Sequence, residues 1–422
     1  MIRYVSTIIC VVLLGACAAP SSHHHDTLQT ALSESRLYIE NGGDEKEVID
    51  ALVEIEGVRA KVERDNTQHV AALHLSFEQA WQGKAFLRVN SPLDLSSTLT
   101  SHVLSFDLRA EDVSKAGLQV AVECGVDCHN VVDIWPQAKL WQGKGWQHVA
   151  IPLHCFDSQY ANFSTLTTPF KLHYYGTGEV AVADINIREE KGTILCPEQD
   201  TLSVTPAPLR AFWADEWWMK RHQQKRMETG RGEAELLLVG DSITHGWENT
   251  GNAVWQRYFS HIPTLNLGFG GDRTENVLWR IEHGALQGLK PKLIVMMIGT
   301  NNTGHRMDRP ENIAKGVSRI LDEFAHRLPD SQVLLLGIFP RGENPDVPER
   351  RNNVKTNALL VDLAMQKGVD YANYNAVFLN EKGELSTAIM PDLLHPNAEG
   401  YQRWAEALSY YFTPIWGSPI KE

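Results

Sequence analysis

From about Leu52 to Glu190 apolar and polar residues alternate in short runs, among them Leu104-Ser105-Phe106-Asp107-Leu108-Arg109, Leu118-Gln119-Val120-Ala121-Val122-Glu123 and Asp184-Ile185-Asn186-Ile187-Arg188. Successive side chains of a strand point to opposite faces, so period two predicts strands with one face buried. Gly, Pro, Asn and Asp separate the runs, and no helical stripe interrupts them after Ala60; the pattern predicts an antiparallel sandwich over 45–195. Further on the grammar changes. Leu236-Leu237-Leu238-Val239, Leu293-Ile294-Val295-Met296-Met297-Ile298 and Val333-Leu334-Leu335-Leu336 are solid apolar runs, spaced by helix-length segments such as Pro310 to Arg327. Strands apolar on both sides and alternating with helices predict a doubly wound α/β domain, over 209–418, whose parallel sheet is covered on both faces. Residues 196–208, polar and rich in Pro, read as the connector.

Composition agrees with two folded domains and narrows what they do. The chain has 422 residues, 43% apolar and 22% charged, enough for real cores and unlike a disordered chain; 31 glycines without a three-residue period exclude collagen. A formal net charge of −13 without a strong basic tract excludes nucleic acid as the partner, since phosphate backbones are held by clustered Lys and Arg.

Arg3 precedes an apolar run from Tyr4 to Ala16, too short to span a bilayer comfortably and laid out like an export signal. Leu14-Gly15-Ala16-Cys17 resembles a bacterial lipobox, which implies that residues 1–16 are a signal peptide, that Cys17 is lipidated, and that 17–44 is a tether. Ala18 resembles the residue after that Cys in lipoproteins sorted to the outer membrane, with the periplasmic or surface face left open. The plain alternative is an ordinary signal containing a Cys. Cys124, Cys128, Cys155 and Cys196 then remain, and export to an oxidising compartment suggests two disulfides with three connectivities open. A zinc site is the rival, but Cys124-x3-Cys128 has no second pair at knuckle spacing.

In open parallel sheets ligands bind beyond the carboxyl ends of the strands, so the residues after each apolar run matter most. After the first come Gly240-Asp241-Ser242, a hydroxyl between strand and helix. Gly268-Phe269-Gly270-Gly271-Asp272 follows a second, shorter strand, Thr264 to Leu267, and can bring a backbone amide close to an oxyanion. Gly299-Thr300-Asn301-Asn302 follows the third and offers a side-chain amide. Near the carboxyl end, Asp392-Leu393-Leu394-His395 places a carboxylate three residues before an imidazole, able to hold its tautomer. Each piece alone is an ordinary turn or cap. Together they supply the different parts of one acyl-transfer site.

These four ordered blocks resemble the SGNH, or GDSL-type, hydrolase family over roughly Leu209 to Gly417. Asn266 to Asp272, Val277-Leu278-Trp279-Arg280 and Gly299 to Asn302 are most similar to the branch of the platelet-activating-factor acetylhydrolase catalytic subunits. Ile243 replaces the Leu of the family nickname, and Asn302 stands where many members have Asp. The resemblance implies a three-layer α/β domain with a flavodoxin-like sheet and a metal-free, cofactor-free serine esterase. It implies Ser242, Asp392 and His395 as catalytic residues, and the amides of Ser242 and Gly271 with the Asn301 side chain as oxyanion hole.

The first domain, through Leu104 to Arg109, Cys124 to Cys128 and Trp146 to Leu153 with Cys155, resembles the galactose-binding-like accessory domain of family 3 exo-glucosidases, a jelly-roll-like sandwich. Trp81, Trp135, Trp141 and Trp146 are available to stack on sugars or to fill a core. The two resemblances imply an envelope-tethered carbohydrate O-acetylesterase acting on acetylated carbohydrate, with membrane contact through the lipid anchor only. A lipase- or lysophospholipase-like esterase is the competing reading, and a carbohydrate-binding lipoprotein with a vestigial hydrolase domain a third. Phe212 to Arg226, with Trp213, Trp217 and Trp218, reads as an amphipathic helix against the sheet, with cleft lining as the alternative. His222, His245, His261, His283, His305 and His326 show no metal-ligand spacing.

Overall fold

A computed structural model describes residues 31–49, 52–63, 71–124, 130–157, 161–196 and 199–418. The expected signal, Cys17 and Cys128 lie outside these. The chain divides into two compact units, Met1–Cys196 with Arg210–Trp213, and Pro197–Leu209 with Ala214–Glu422.

The first unit is all antiparallel: β1 (Arg36–Asn41), β2 (Asp44–Glu47), β3 (Val53–Ile55), β4 (Val58–Glu63), β5 (Ala72–Arg88), β6 (His102–Glu123), β7 (Asn130–Asp133), β8 (Trp146–Pro152) and β9 (Thr168–Glu189). β5, β9 and β6 lie side by side, and register shifts interrupt their ladders between Phe77 and Gly83 and between Ala110 and Lys115. On one side of these bulges β4 pairs with Ala72 to Phe77 and β8 with Val103 to Arg109; on the other β1 pairs with Lys84 to Arg88 and β7 with Gln119 to Val122. Bulges bend and twist strands, so three long strands serve both layers of the sandwich. Leu75, Phe77, Phe106, Leu108, Leu118, Leu172, Tyr174 and Val182 fill the core between.

Three expectations change here. The tether does not extend to residue 44, because Leu37 and Ile39 alternate with polar neighbours and bury as β1 against β5. A helix, Trp135–Trp141, does interrupt the strands: Asp133 Oδ1 accepts the Trp135 amide at 3.0 Å, and Trp135 and Ala138 bury one turn apart. Seven residues are too few to show a helical period. The stretch 196–208 is more than a connector. It carries a short helix, Gln199–Leu202, and the buried Ser203, whose carbonyl accepts Thr274 Oγ1 at 2.8 Å, while Ala207 O accepts Asn276 Nδ2 at 2.9 Å.

Cys155 and Cys196 form a disulfide, and Cys124 is also disulfide-bonded. Closing a loop of sequence separation 41 removes unfolded-chain entropy worth about 4 kcal/mol in the chain-entropy model. Of the tryptophans offered for sugar, Trp135 is core and donates Nε1 to Val113 O at 3.0 Å, Trp141 packs against the same core, and the Arg109 guanidinium covers the Trp146 ring at 4.9 Å.

The second unit is built on five parallel strands, β10 (Leu236–Gly240), β11 (Thr264–Gly268), β12 (Leu293–Met297), β13 (Gln332–Leu336) and β14 (Asp370–Ala372), in the order β11-β10-β12-β13-β14. Alternate residues of one strand go to opposite cores. Leu236, Leu238, Val295 and Met297 pack under the helices Asn252–Phe259 and Ala398–Trp416, whereas Leu237, Val239, Ile294 and Met296 pack under Thr274–Glu282, Pro310–Arg327 and Pro348–Lys367. Burial on both faces is why these strands read as unbroken apolar runs. The strand order reverses between β10 and β12, and the crevice at that switch point is where doubly wound sheets bind ligands.

Candidate active site

β10 ends in Gly240, where a Cβ would stand 2.2 Å from Thr244 Oγ1 and 2.5 Å from Met297 O, so only glycine lets the chain turn this tightly. Asp241 follows as the N-cap of a one-turn helix, Ser242–His245, its Oδ1 accepting the Ile243 amide at 2.9 Å. Asn266 Nδ2 donates to Thr244 O at 2.8 Å and Tyr401 Oη to Ile243 O at 2.7 Å, fixing that turn from β11 on one side and the last helix on the other.

Ser242 Oγ lies 2.8 Å from His395 Nε2, and His395 Nδ1 lies 2.6 Å from Asp392 Oδ2. Asp392 Oδ1 also accepts the His395 amide at 2.7 Å and the Leu394 amide at 3.1 Å. Burial acts to raise the Asp392 pKa, but the hydrogen bonds and charge of His395 and the Leu394 amide outweigh it and leave the carboxyl below its ordinary range. A carboxylate there assigns the proton to Nδ1, which leaves Nε2 as acceptor for the serine hydroxyl. The turn carrying the pair holds Leu393 at φ +58°, a left-handed conformation that costs a non-glycine residue roughly 1–2 kcal/mol. Gly342 N–H donates to its carbonyl at 2.9 Å.

The loop after β11 brings Gly271, at φ +75°, to the same end of the sheet. Its next residue, Asp272, is buried, and its carboxylate accepts Trp218 Nε1 at 2.6 Å and Arg280 Nε at 2.8 Å. Burial pushes this carboxyl up to about 6, against the opposing pull of Arg280 and Trp218. Asn301, in the first turn of the helix Thr300–Arg306, donates one Nδ2 hydrogen to Asp272 O at 3.0 Å. An amide nitrogen carries two hydrogens, so a second remains for a ligand. Beneath it Asn302 accepts the Thr274 amide at 3.1 Å and donates to Asp308 Oδ2 at 3.0 Å, tying the two loops together with a side chain that both donates and accepts.

Of the five residues singled out from the sequence, Ser242, Gly271 and Asn301 follow the neighbouring strands β10, β11 and β12, and the turn carrying Asp392 and His395 meets Ser242 through the His395 hydrogen bond. Several further groups shape the site. Trp218 is part of the core beneath the loop, while half-buried Trp217 stands over Gly270, where a Cβ would lie 3.4 Å from its ring, and 6.0 Å from the His245 ring. Asp241 is another: its meaning lies in burial, which pushes its pKa up to about 7, aided by Asp272 and opposed by the Ile243 amide and His395. The folded chain therefore holds this proton more tightly than the unfolded chain, whose value is near 3.8. Stability from Asp241 is whole below about pH 4 and is lost as the pH rises to about 7. Asp241→Asn keeps an oxygen for the cap, so its stability relative to wild type is expected to improve steadily across that window. Unfolding midpoints measured from pH 4 to pH 8 check this, and parallel curves for the two proteins would refute it.

Residues 238–403 match the GDSL-like Lipase/Acylhydrolase family and residues 36–187 a galactose-binding domain-like family. Platelet-activating factor acetylhydrolase IB subunit alpha2 of Homo sapiens is 35% identical over 207 residues, 49% of this chain and 88% of the relative. The human alpha1 subunit is 33% identical over 204 residues, 48% and 86% respectively. Among solved structures, an acetylxylan esterase from Geobacillus stearothermophilus is similar at 19% identity and a TM-score of 0.37, covering 44% of this chain and 98% of that one.

Proposed function

The chain belongs to the GDSL-like lipase/acylhydrolase family, and from that premise we propose that it is a serine esterase that removes acetyl groups from a polysaccharide or its fragments at the cell envelope. The observation that carries the chemistry is the unbroken line from Ser242 Oγ through His395 to Asp392, at 2.8 and 2.6 Å. His395 Nε2 takes the hydroxyl proton as Oγ attacks the ester carbonyl, and Asp392 stabilises the imidazolium that forms. The oxyanion receives the Ser242 and Gly271 amides and the second Asn301 hydrogen. His395 returns its proton to the leaving alkoxide, the acetyl-enzyme forms, and water deprotonated by the same imidazole releases acetate. Only protein groups and water enter these steps.

The acyl group is inferred from the relatives, which are named acetylhydrolases. The carbohydrate is inferred from the galactose-binding-like domain, and the envelope from Leu14 to Cys17, whose lipid would tether the enzyme without inserting it. The deciding experiment is a release assay with the full chain on acetylated plant, algal and bacterial polysaccharides beside long-chain fatty esters. Acetate from at least one polysaccharide, with little fatty acid released, is expected. Fatty acid released in preference would favour the lysophospholipase-like reading and remove the carbohydrate one.

A further inference from the structure

Between β13 and the helix Pro348–Lys367 the chain passes through Arg341 and Gly342, a dipeptide that touches both sides of the site. Arg341 Nη1 donates to Thr300 O at 2.8 Å and lies 3.4 Å from Thr300 Oγ1, so it grips the peptide that leads into Asn301. Its guanidinium rests on Gly304 in the same helix, where a Cβ would stand 2.3 Å from Nη1 and 2.9 Å from Cζ. The adjoining Gly342 amide donates to Leu393 O, inside the turn between Asp392 and His395. Arg350 clamps the dipeptide from behind, donating Nε to Arg341 O at 2.7 Å and Nη2 to Gly342 O at 2.5 Å.

We propose that Arg341 is a positioning residue that holds the oxyanion donor Asn301 in register with the Asp392–His395 turn, an inference that rests on the esterase reading above. A donor to an oxyanion works only within a few tenths of an ångström of its place, and a misplacement of about 1 Å can cost on the order of 10²-fold in rate. Thr300 O sits at the root of the donor, and the Leu393 carbonyl at the root of the base. One rigid dipeptide bonded to both sets the distance between them. Arginine suits the post because its planar fork gives Thr300 a directed N–H while its Nη1–Nη2 edge abuts Gly304, and it stays charged throughout the working pH range.

The test is steady-state kinetics on an activated acetyl ester for Arg341→Met, Asn301→Ala and the double variant, with thermal melts of each. Arg341→Met is expected to lower kcat by about 10- to 100-fold at nearly unchanged KM. In the Asn301→Ala background the same substitution should cost less than about threefold, because the donor it positions is already gone. Arg341→Lys, which keeps one donor for Thr300, should recover part of the rate. Gly304→Ala adds a methyl where the guanidinium lies, on a helical backbone that alanine favours. It should lower kcat with at most a modest fall in Tm, and it decides the matter if Arg341→Met does not fold. Equal losses from Arg341→Met in both backgrounds, or full rates for Arg341→Met or Gly304→Ala, would overturn the proposal. Turnover by Ser242→Ala would instead strike the esterase reading itself.

Discussion

Ser242→Ala is expected to lose roughly four to six orders of magnitude in turnover of an activated acetyl ester, because the atom removed is the proposed nucleophile. Ser242 Oγ has His395 Nε2 as its hydrogen-bond partner, and the cap that starts its helix comes from Asp241. The substitution therefore removes chemistry while leaving the turn held by Asn266 and Tyr401. Tm should stay within a few degrees of wild type, and a serine-directed phosphonate that labels the wild type at Ser242 should leave the variant unlabelled. Residual activity near the wild-type rate would send the search for the nucleophile elsewhere. A wild type that takes no label would point to a vestigial hydrolase domain.

Asn301→Ala should follow with a loss of about 10²–10³ in kcat and only a small change in KM, the signature of an interaction made in the transition state. This residue has a second duty, since Nδ2 also satisfies the buried Asp272 carbonyl at 3.0 Å. Leaving such an acceptor unmet costs roughly 1–3 kcal/mol, so a modest fall in Tm should accompany the fall in rate. The two effects separate when kinetics are measured well below the lower Tm. A variant that is destabilised but keeps its kcat would make Asn301 a structural tie and nothing more.

Both variants follow from residues legible in the sequence, and the reason lies in the architecture. A parallel sheet buries its strands on both faces, so β10 and β12 announce themselves as apolar runs, and the residues after them must lie at one edge. That rule drew attention to the segments holding Ser242 and Asn301, and a separation of three residues to Asp392 with His395, while their roles came from the four blocks taken together and from the family they resemble. The elements that escaped were short or held by distant partners. β1 shows only Leu37 and Ile39, the helix Trp135–Trp141 is seven residues long, and the polar stretch ending at Pro208 looks solvated until Thr274 and Asn276 bind its carbonyls.

By itself the amino-acid sequence determined the division into a β-sandwich and an α/β unit and the order in which the site residues arrive, because periodicity and strand-end position are local properties. Tertiary structure alone decided that Cys155 pairs with Cys196, that Trp135 belongs to the core, that Asp241 keeps a proton to about pH 7, and that Arg341 reaches Thr300. Pairing, burial and reach across the sheet depend on which distant segments meet.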